Sequence, residues 1–246
     1  MKKIALILCG IILAGQSIYA NSIGVGYTTR TSIYKSDREN SFLPMVDFKY
    51  DNFFIKGATV NGMSIGYNVY EDDFYTLSLY VKPFGGYKIS SGDMDYGYKS
   101  IDSRHRKIMG GAEFKVYTGI YETELSTSVD YGKKGGNILV QLTRPYFVNS
   151  DLVVIPSVNF AYFNSEYIDY YFGVNKDETG GSIKNYYDGK AGYTFGVNLT
   201  GRYRVTDSFS VLGFVGVNKL SSEIENSPIV DDDVMYFAGT GIVYTF

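Results

Sequence analysis

The only histidine of the chain, His105, stands two residues after Ser103 in "SRHRK". A serine hydroxyl activated by a nearby histidine is the nucleophile of acyl-transfer hydrolases, and such a pair at a membrane surface would suit a lipid hydrolase. No G-x-S-x-G context surrounds any serine, and a basic patch at the base of a loop, facing acidic lipopolysaccharide, accounts for the same residues. Asp231, Asp232 and Asp233, near Glu225 and after Pro228, offer oxygen ligands for a divalent ion without EF-hand spacing. A solvated acidic loop explains them. Gly132, Gly135 and Gly136 in "YGKKGG" supply turn conformations and have none of the phosphate-loop pattern. Neither a catalytic residue nor a cofactor or metal site is expected.

What remains to be explained is how the chain is built. "MKKIALILCGIILAGQSIYANS" has Lys2 and Lys3, an apolar run from Ile4 to Ala14 and a small residue at Ala20, the layout of a secretory signal peptide spanning 1–20. Cleavage discards Cys9, the only cysteine, so the exported part (21–246) has neither a disulfide framework nor a cysteine nucleophile. Loss of the two lysines takes the net charge from −3 to about −5, which gives no reason for nucleic-acid binding. The aromatic load is unusual, with 25 Tyr and 16 Phe beside 28 Gly and no Trp. Tyrosine suits a surface that is half in lipid and half in water. No second apolar run reaches the length a membrane helix needs.

Twelve candidate strands can be read from the alternation of residue types: 22–30, 42–50, 53–60, 62–70, 74–84, 107–118, 121–131, 137–147, 151–163, 189–204, 208–218 and 234–246. Several match the nine to eleven residues that a tilted strand needs to cross a bilayer. Connection lengths sort by parity, except that the odd connections "NG" near 61–62 and "GKKGG" at 132–136 are short hairpins. Those after even strands are short ("DN", "EDD", "GI", "VNS", "VTD"), whereas 31–41, 85–106, 164–188 and 219–233 follow odd strands. That rhythm predicts an all-β protein, a transmembrane antiparallel β-barrel in the outer membrane with both termini periplasmic.

The two faces of the strands agree with this reading. Tyr75, Leu77, Leu79 and Val81 alternate with Thr76, Ser78, Tyr80 and Lys82, and Leu125, Thr127 and Val129 alternate with Glu124, Ser126, Ser128 and Asp130. The polar set is expected to face the lumen, where Glu113, Lys115, Glu124, Asp130, Arg202 and Arg204, with Asp47, Lys49 and Lys82, can neutralise one another. In the closing strand "VMYFAGTGIVYTF", Ile242, Tyr244 and Phe246 share one face. That strand must seal against the first, since an open edge cannot survive in hydrocarbon. Its terminal aromatic resembles the signal by which outer-membrane proteins reach the barrel-assembly machinery.

Tyr170, Tyr171, Phe172 and Gly173 in "YIDYYFGV", Ser227 and Pro228 in "SPIV", the closing "GTGIVYTF", Gly110, Gly111 and Asp130 together resemble the family of MltA-interacting and OmpV-like outer-membrane proteins over essentially the whole mature chain. The resemblance implies an outer-membrane barrel in contact with lipid and lipopolysaccharide and no catalytic residue. For one branch it implies a scaffold that brings a lytic murein transglycosylase together with a murein synthase; other branches are linked to osmotic adaptation or adhesion. The alternative from the residues themselves is a narrow pore whose selectivity the inner charges set. For "YYFGV" the simplest reading is packing in an interfacial aromatic girdle, the other a partner surface or a loop plug. The loops 85–106 and 164–188 are long enough to fold over or into the lumen.

Overall fold

The computed structural model describes residues 21–59, 62–120 and 122–246, so the expected signal peptide lies outside the described residues. The strands are β1 (Ser22–Arg30), β2 (Glu39–Tyr50), β3 (Phe53–Thr59), β4 (Gly62–Glu71), β5 (Tyr75–Gly85), β6 (Lys107–Tyr117), β7 (Glu124–Gly132), β8 (Gly135–Thr143), β9 (Tyr146–Phe147), β10 (Leu152–Phe163), β11 (Gly192–Arg204), β12 (Phe209–Leu220) and β13 (Val234–Thr245). Each pairs antiparallel with its neighbours. β13 returns to β1 and β10 pairs with β11, so the sheet closes into a twelve-strand barrel in which β9 continues the line of β8.

Alternation sets the faces. Along β5, Tyr75, Leu77, Leu79 and Val81 are exposed on the outer wall while Thr76, Ser78, Tyr80 and Lys82 are buried inside. The same exposed apolar band continues through Leu125 and Val129, Val158 and Phe160, Phe195 and Val197, and Ile242 and Tyr244. Apolar side chains outside and polar ones inside invert the order of a soluble sheet protein, and only hydrocarbon around the wall makes that arrangement stable.

Connections at the end carrying the termini are tight: 51–52 turns at Asp51 with φ 53°, and Asp72 Oδ1 accepts from the N–H groups of Phe74 and Tyr75 at 2.8 and 2.7 Å. At the opposite end lie 31–38, 86–106, 164–191 and 221–233. Where 137–147 reads as one strand, the structure breaks it at Arg144–Pro145. Pro145 cannot donate to a ladder, and Pro156 of β10 faces the same gap: its carbonyl accepts from Arg144 N–H at 3.2 Å, and the donor it lacks would point the same way. By the register on either side of the break, Pro156 stands opposite Arg144 and Pro145 opposite Ile155, so the two prolines are diagonal neighbours there.

The closure seam pairs Ser22 with Thr245 through to Arg30 with Phe237, and Phe246 N–H extends it by donating to Asn21 O at 2.9 Å. Its inner face carries glycines because Met45 fills the space over it: a Cβ on Gly241 would stand 2.6 Å from Met45 Cε and 2.9 Å from Val25 O. Gly241→Val should therefore cost about 1–3 kcal/mol and lower the heat-modifiable folded band in unboiled electrophoresis, with Met45→Ala restoring part of it. Undiminished folded band in the single variant would show that the seam tolerates bulk.

Candidate functional site: a capped, charged lumen

Four long connections meet over the mouth of the barrel and bury an apolar core there, built from Ile33, Tyr34, Ile89, Met94, Ile101, Tyr167, Ile168, Tyr171, Phe172, Val174, Ile183, Ile224, Ile229 and Val230 against Met109, Leu139, Ala161, Phe163 and Leu220 of the wall. At its centre is helix α1 (Ser165–Phe172). Asn164 caps it: its side-chain oxygen accepts from Tyr167 N–H and also from Gly136 N–H, both at 3.0 Å, which ties the helix start to the β7–β8 hairpin. Gly135, with φ +83°, permits that approach, because a Cβ there would lie 2.4 Å from Asn164 Oδ1 and from Tyr167 N.

Aromatic rings lock the helix down. Tyr34 stacks on Phe172 at 5.6 Å, Phe163 stacks on Tyr167 at 4.9 Å, and Tyr87 meets Tyr167, Tyr171 and Phe172 edge-on. Ser227 Oγ donates to Phe172 O at 2.6 Å and Tyr34 hydroxyl to Tyr171 O at 3.3 Å, satisfying carbonyls at the helix end. Burial pushes the hydroxyls of Tyr34, Tyr87 and Tyr167 upward, so they stay neutral. Between loops 86–106 and 164–191 runs a buried ion pair, Arg104 Nη2 to both oxygens of Glu178 at 2.7 and 2.9 Å. Arg104 Nε and Nη1 also donate, to Tyr170 O at 2.9 Å and Asp102 O at 2.6 Å.

Beneath the cap the lumen is divided. On the β2–β7 side, Lys115 Nζ lies 3.0 Å from Glu124 and 3.8 Å from Glu113, and Asp130 binds Lys82 at 2.5 Å and Tyr80 hydroxyl at 2.7 Å. Lys49 pairs with Glu71 at 2.5 Å. Small cross-strand neighbours, Thr76 and Ser126 beside Lys115 and Ser78 and Ser128 beside Glu113, leave room for these long side chains. Where β2 meets β13 and β12, Met45, Leu212 and Val243 form a small apolar cluster. On β10 and β11, Asn159 and Asn198 are buried on the inner face, and Asn159 Nδ2 and Asn198 Oδ1 have no partner among the described residues.

The residues singled out from the sequence fall into three places. Glu113, Lys115, Glu124 and Asp130 are buried on the inner face, and Arg202 is inside too, donating to Ser210 Oγ at 2.9 Å and Thr245 Oγ1 at 3.3 Å. Arg204 lies at the terminal rim, exposed and 2.9 Å from Asp151. Ile242, Tyr244 and Phe246 are exposed along the closing strand. Tyr171, Phe172, Gly173 and Ser227 are buried together in the cap, with Pro228 beside them and Tyr170 partly exposed at its edge. A girdle position for "YYFGV" is therefore corrected: these rings face the inside of a folded cap, because the helical spacing of Tyr167, Ile168, Tyr171 and Phe172 gives one apolar side that the barrel mouth accepts.

Ser103 shares hydrogen bonds with Ser91, and no hydrogen bond joins it to His105 among the described residues. Asp231 and Asp233 contact Lys35 and Lys219, and no group of three metal-ligating side chains occurs among the described residues. Sequence reading passed over Glu178 and Tyr34. Glu178 had a detectable signal, since "NKDE" at 175–178 spells a capping box and forms one.

The family described as MltA-interacting protein MipA matches residues 23–246. The chain is 29% identical to the 24 kDa outer membrane protein of Pasteurella multocida (strain Pm70), over 93% of the chain and 92% of that protein. It is 24% identical to the MltA-interacting protein of Escherichia coli (strain K12), covering all of both. Among solved structures, a NanC porin superposes with a TM-score of 0.49 at 9% identity, covering 92% of this chain and all of that one.

The Arg104–Glu178 pair makes the cap acid-sensitive. Burial pushes the Glu178 carboxyl up, but the backbone N–H groups of Asn175 and Asp102 and the Arg104 guanidinium outweigh it and hold the group below the ordinary glutamate value. Its contribution is thus complete above the unfolded-chain value of about 4.3 and is lost as pH falls through the lower folded value. Hydrogen exchange of amides 164–188 should quicken in acid while the wall stays protected. Glu178→Ala should weaken the cap by about 3–5 kcal/mol even at neutral pH, since it leaves Arg104 buried and unpaired. Cap exchange equal in variant and parent would remove the pair from this role.

Proposed function

The chain belongs to the family of MltA-interacting protein MipA, a family of outer-membrane β-barrels, and from that premise we propose that it is a narrow passage for small polar solutes, held shut at rest by its loop cap. One observation carries this reading: beneath the cap the lumen is lined with charged and amide side chains, some of whose buried polar atoms have no protein partner. Buried ion pairs are no more stabilising than apolar filling of the same volume. A barrel with a purely structural interior has no need of Lys82, Lys115, Glu113, Glu124 and Asp130, whereas a hydrated path does.

The orientation that goes with this function has the termini in the periplasm and the cap outside, as the short and long connections suggest. Phe246, at the end of the closing strand, would then be the element presented to the barrel-assembly machinery. Removing Phe246 should reduce folded protein in the membrane far more than Asp232→Lys in an external loop. Equal folded yields in pulse-labelled cells would count against that role.

A second reading comes from the name of one relative, MltA-interacting protein. Joined to the family resemblance, it makes the barrel a scaffold for a lytic murein transglycosylase and a murein synthase, docked at the terminal end, where Ile120 and Val148 are exposed in turns and Phe147 at the end of β9. These turns offer little area, so the passage ranks first.

One pair of measurements separates the two. In planar bilayers the parent protein should conduct rarely, Glu178→Ala should conduct more often, and adding Lys115→Glu to that variant should shift its ion preference toward cations. Folded but silent cap variants, together with capture of a transglycosylase by crosslinking in whole cells, would reverse the order.

A further inference from the structure

Two separate segments bring cations to one aromatic ring at the edge of the cap. Lys107, the first residue of β6, has Nζ 5.4 Å from the centroid of Tyr170, and Lys134, in the β7–β8 hairpin, has Nζ 4.7 Å from the same centroid. Exposed Arg106 and Lys133 adjoin them in sequence, and His105 N–H reaches the Tyr170 hydroxyl at 3.4 Å. Among the described residues, no carboxylate lies within 4 Å of Arg106, Lys107, Lys133 or Lys134, and what sets them apart from other unpaired loop cations such as Lys184 and Lys190 is that two of them converge on one ring. The nearby α1 carboxylate of Glu166 accepts instead from the Tyr131 hydroxyl at 3.1 Å.

Unneutralised like charges gathered around one ring repel, and a ring face offsets only part of that repulsion. What relieves it is an anion with several oxygens. Position decides which anion. The cluster sits directly above the lipid-facing wall, where Ile108 and Tyr131 are 69% and 60% exposed on the outer surface of β6 and β7, at the level where a lipid headgroup meets the protein. We propose that Arg106, Lys107, Lys133, Lys134 and Tyr170 form a docking site for the phosphorylated headgroup of a glycolipid whose acyl chains lie against Ile108 and Tyr131. The inference rests on the cap end facing outward, where the outer leaflet carries such lipids. A ligand held there clamps α1 to the β7–β8 hairpin and so favours the closed cap.

The test is binding of a bis-phosphorylated glucosamine lipid to the full-length mature barrel in neutral phosphatidylcholine nanodiscs, measured by native mass spectrometry. Lys107→Gln with Lys134→Gln should weaken binding roughly thirtyfold, while Lys184→Gln with Lys190→Gln, elsewhere in the loops, should leave it unchanged. Unaltered binding in the first pair, or inorganic phosphate competing as well as the lipid, would overturn the site as a lipid site. Orientation is read separately, by surface labelling of Tyr96→Cys on whole cells: lipid binding with no labelling would refute the outward cap while leaving the headgroup chemistry standing, and labelling with no lipid binding would do the opposite.

Discussion

The constraint on which this molecule depends is that no backbone donor can be left unpaired in hydrocarbon, where each one costs several kcal/mol. A wall of twelve strand positions obeys it by closing on itself, and the chain is irregular at the break between β8 and β9. Pro145 and Pro156 are diagonal neighbours at this break. The seam between β1 and β13 runs the full length of β1, and its inner glycines give Met45 the room to lie across it. Closure and interior packing are thus one problem, solved by small residues inside and large ones outside on the same strand.

Much of this was legible in the sequence because it is written in period two. The strand number, the faces of β5, β6, β7 and β11, the sorting of short and long connections and the inward charges Glu113, Lys115, Glu124 and Asp130 follow from alternation and parity alone. The break at Pro145 was not apparent, since 137–147 reads as a single extended run and only the loss of pairing after Thr143 shows the interruption. The cap was legible only as a possibility of long loops. Its helix is eight residues long, too short for a period to stand out, and its core is assembled from four segments whose hydrophobic residues have no common spacing. Ser227 meets Phe172 across 55 residues of chain, a contact no local pattern announces.

Arg104 and Glu178 illustrate why a buried pair can be hidden in a sequence. Arg104 lies in "SRHRK", where it looks like one of a solvated basic cluster, and Glu178 in "NKDETGG", where it looks like loop polarity. Only the fold separates Arg104, buried and fully engaged, from Arg106 two positions on, exposed and without a carboxylate. Side chains of the same type, from the same short segment, end up as a structural tie and as free surface charge because the backbone at 104 bridges to Ile89 and turns its side chain inward.

The two cores of the protein are opposite in kind, and the membrane explains both. Within the wall the environment outside is hydrocarbon, so apolar side chains gain little by turning inward, and the interior holds ion pairs and amides beside the small cluster of Met45, Leu212 and Val243. Beyond the wall the loops are in water, so they fold as a small soluble domain does, with an apolar centre of Tyr171, Phe172, Ile168 and Ile229 and a polar surface. The cap must therefore be held by hydrophobic burial and the lumen by electrostatics. Acid reaches the Glu178 carboxylate that ties two cap loops together and the lumen carboxylates alike, while the backbone ladder that closes the wall contains no titrating group. A barrel made this way can loosen its mouth without loosening its wall, which is the mechanical separation that a passage closed by its own loops requires.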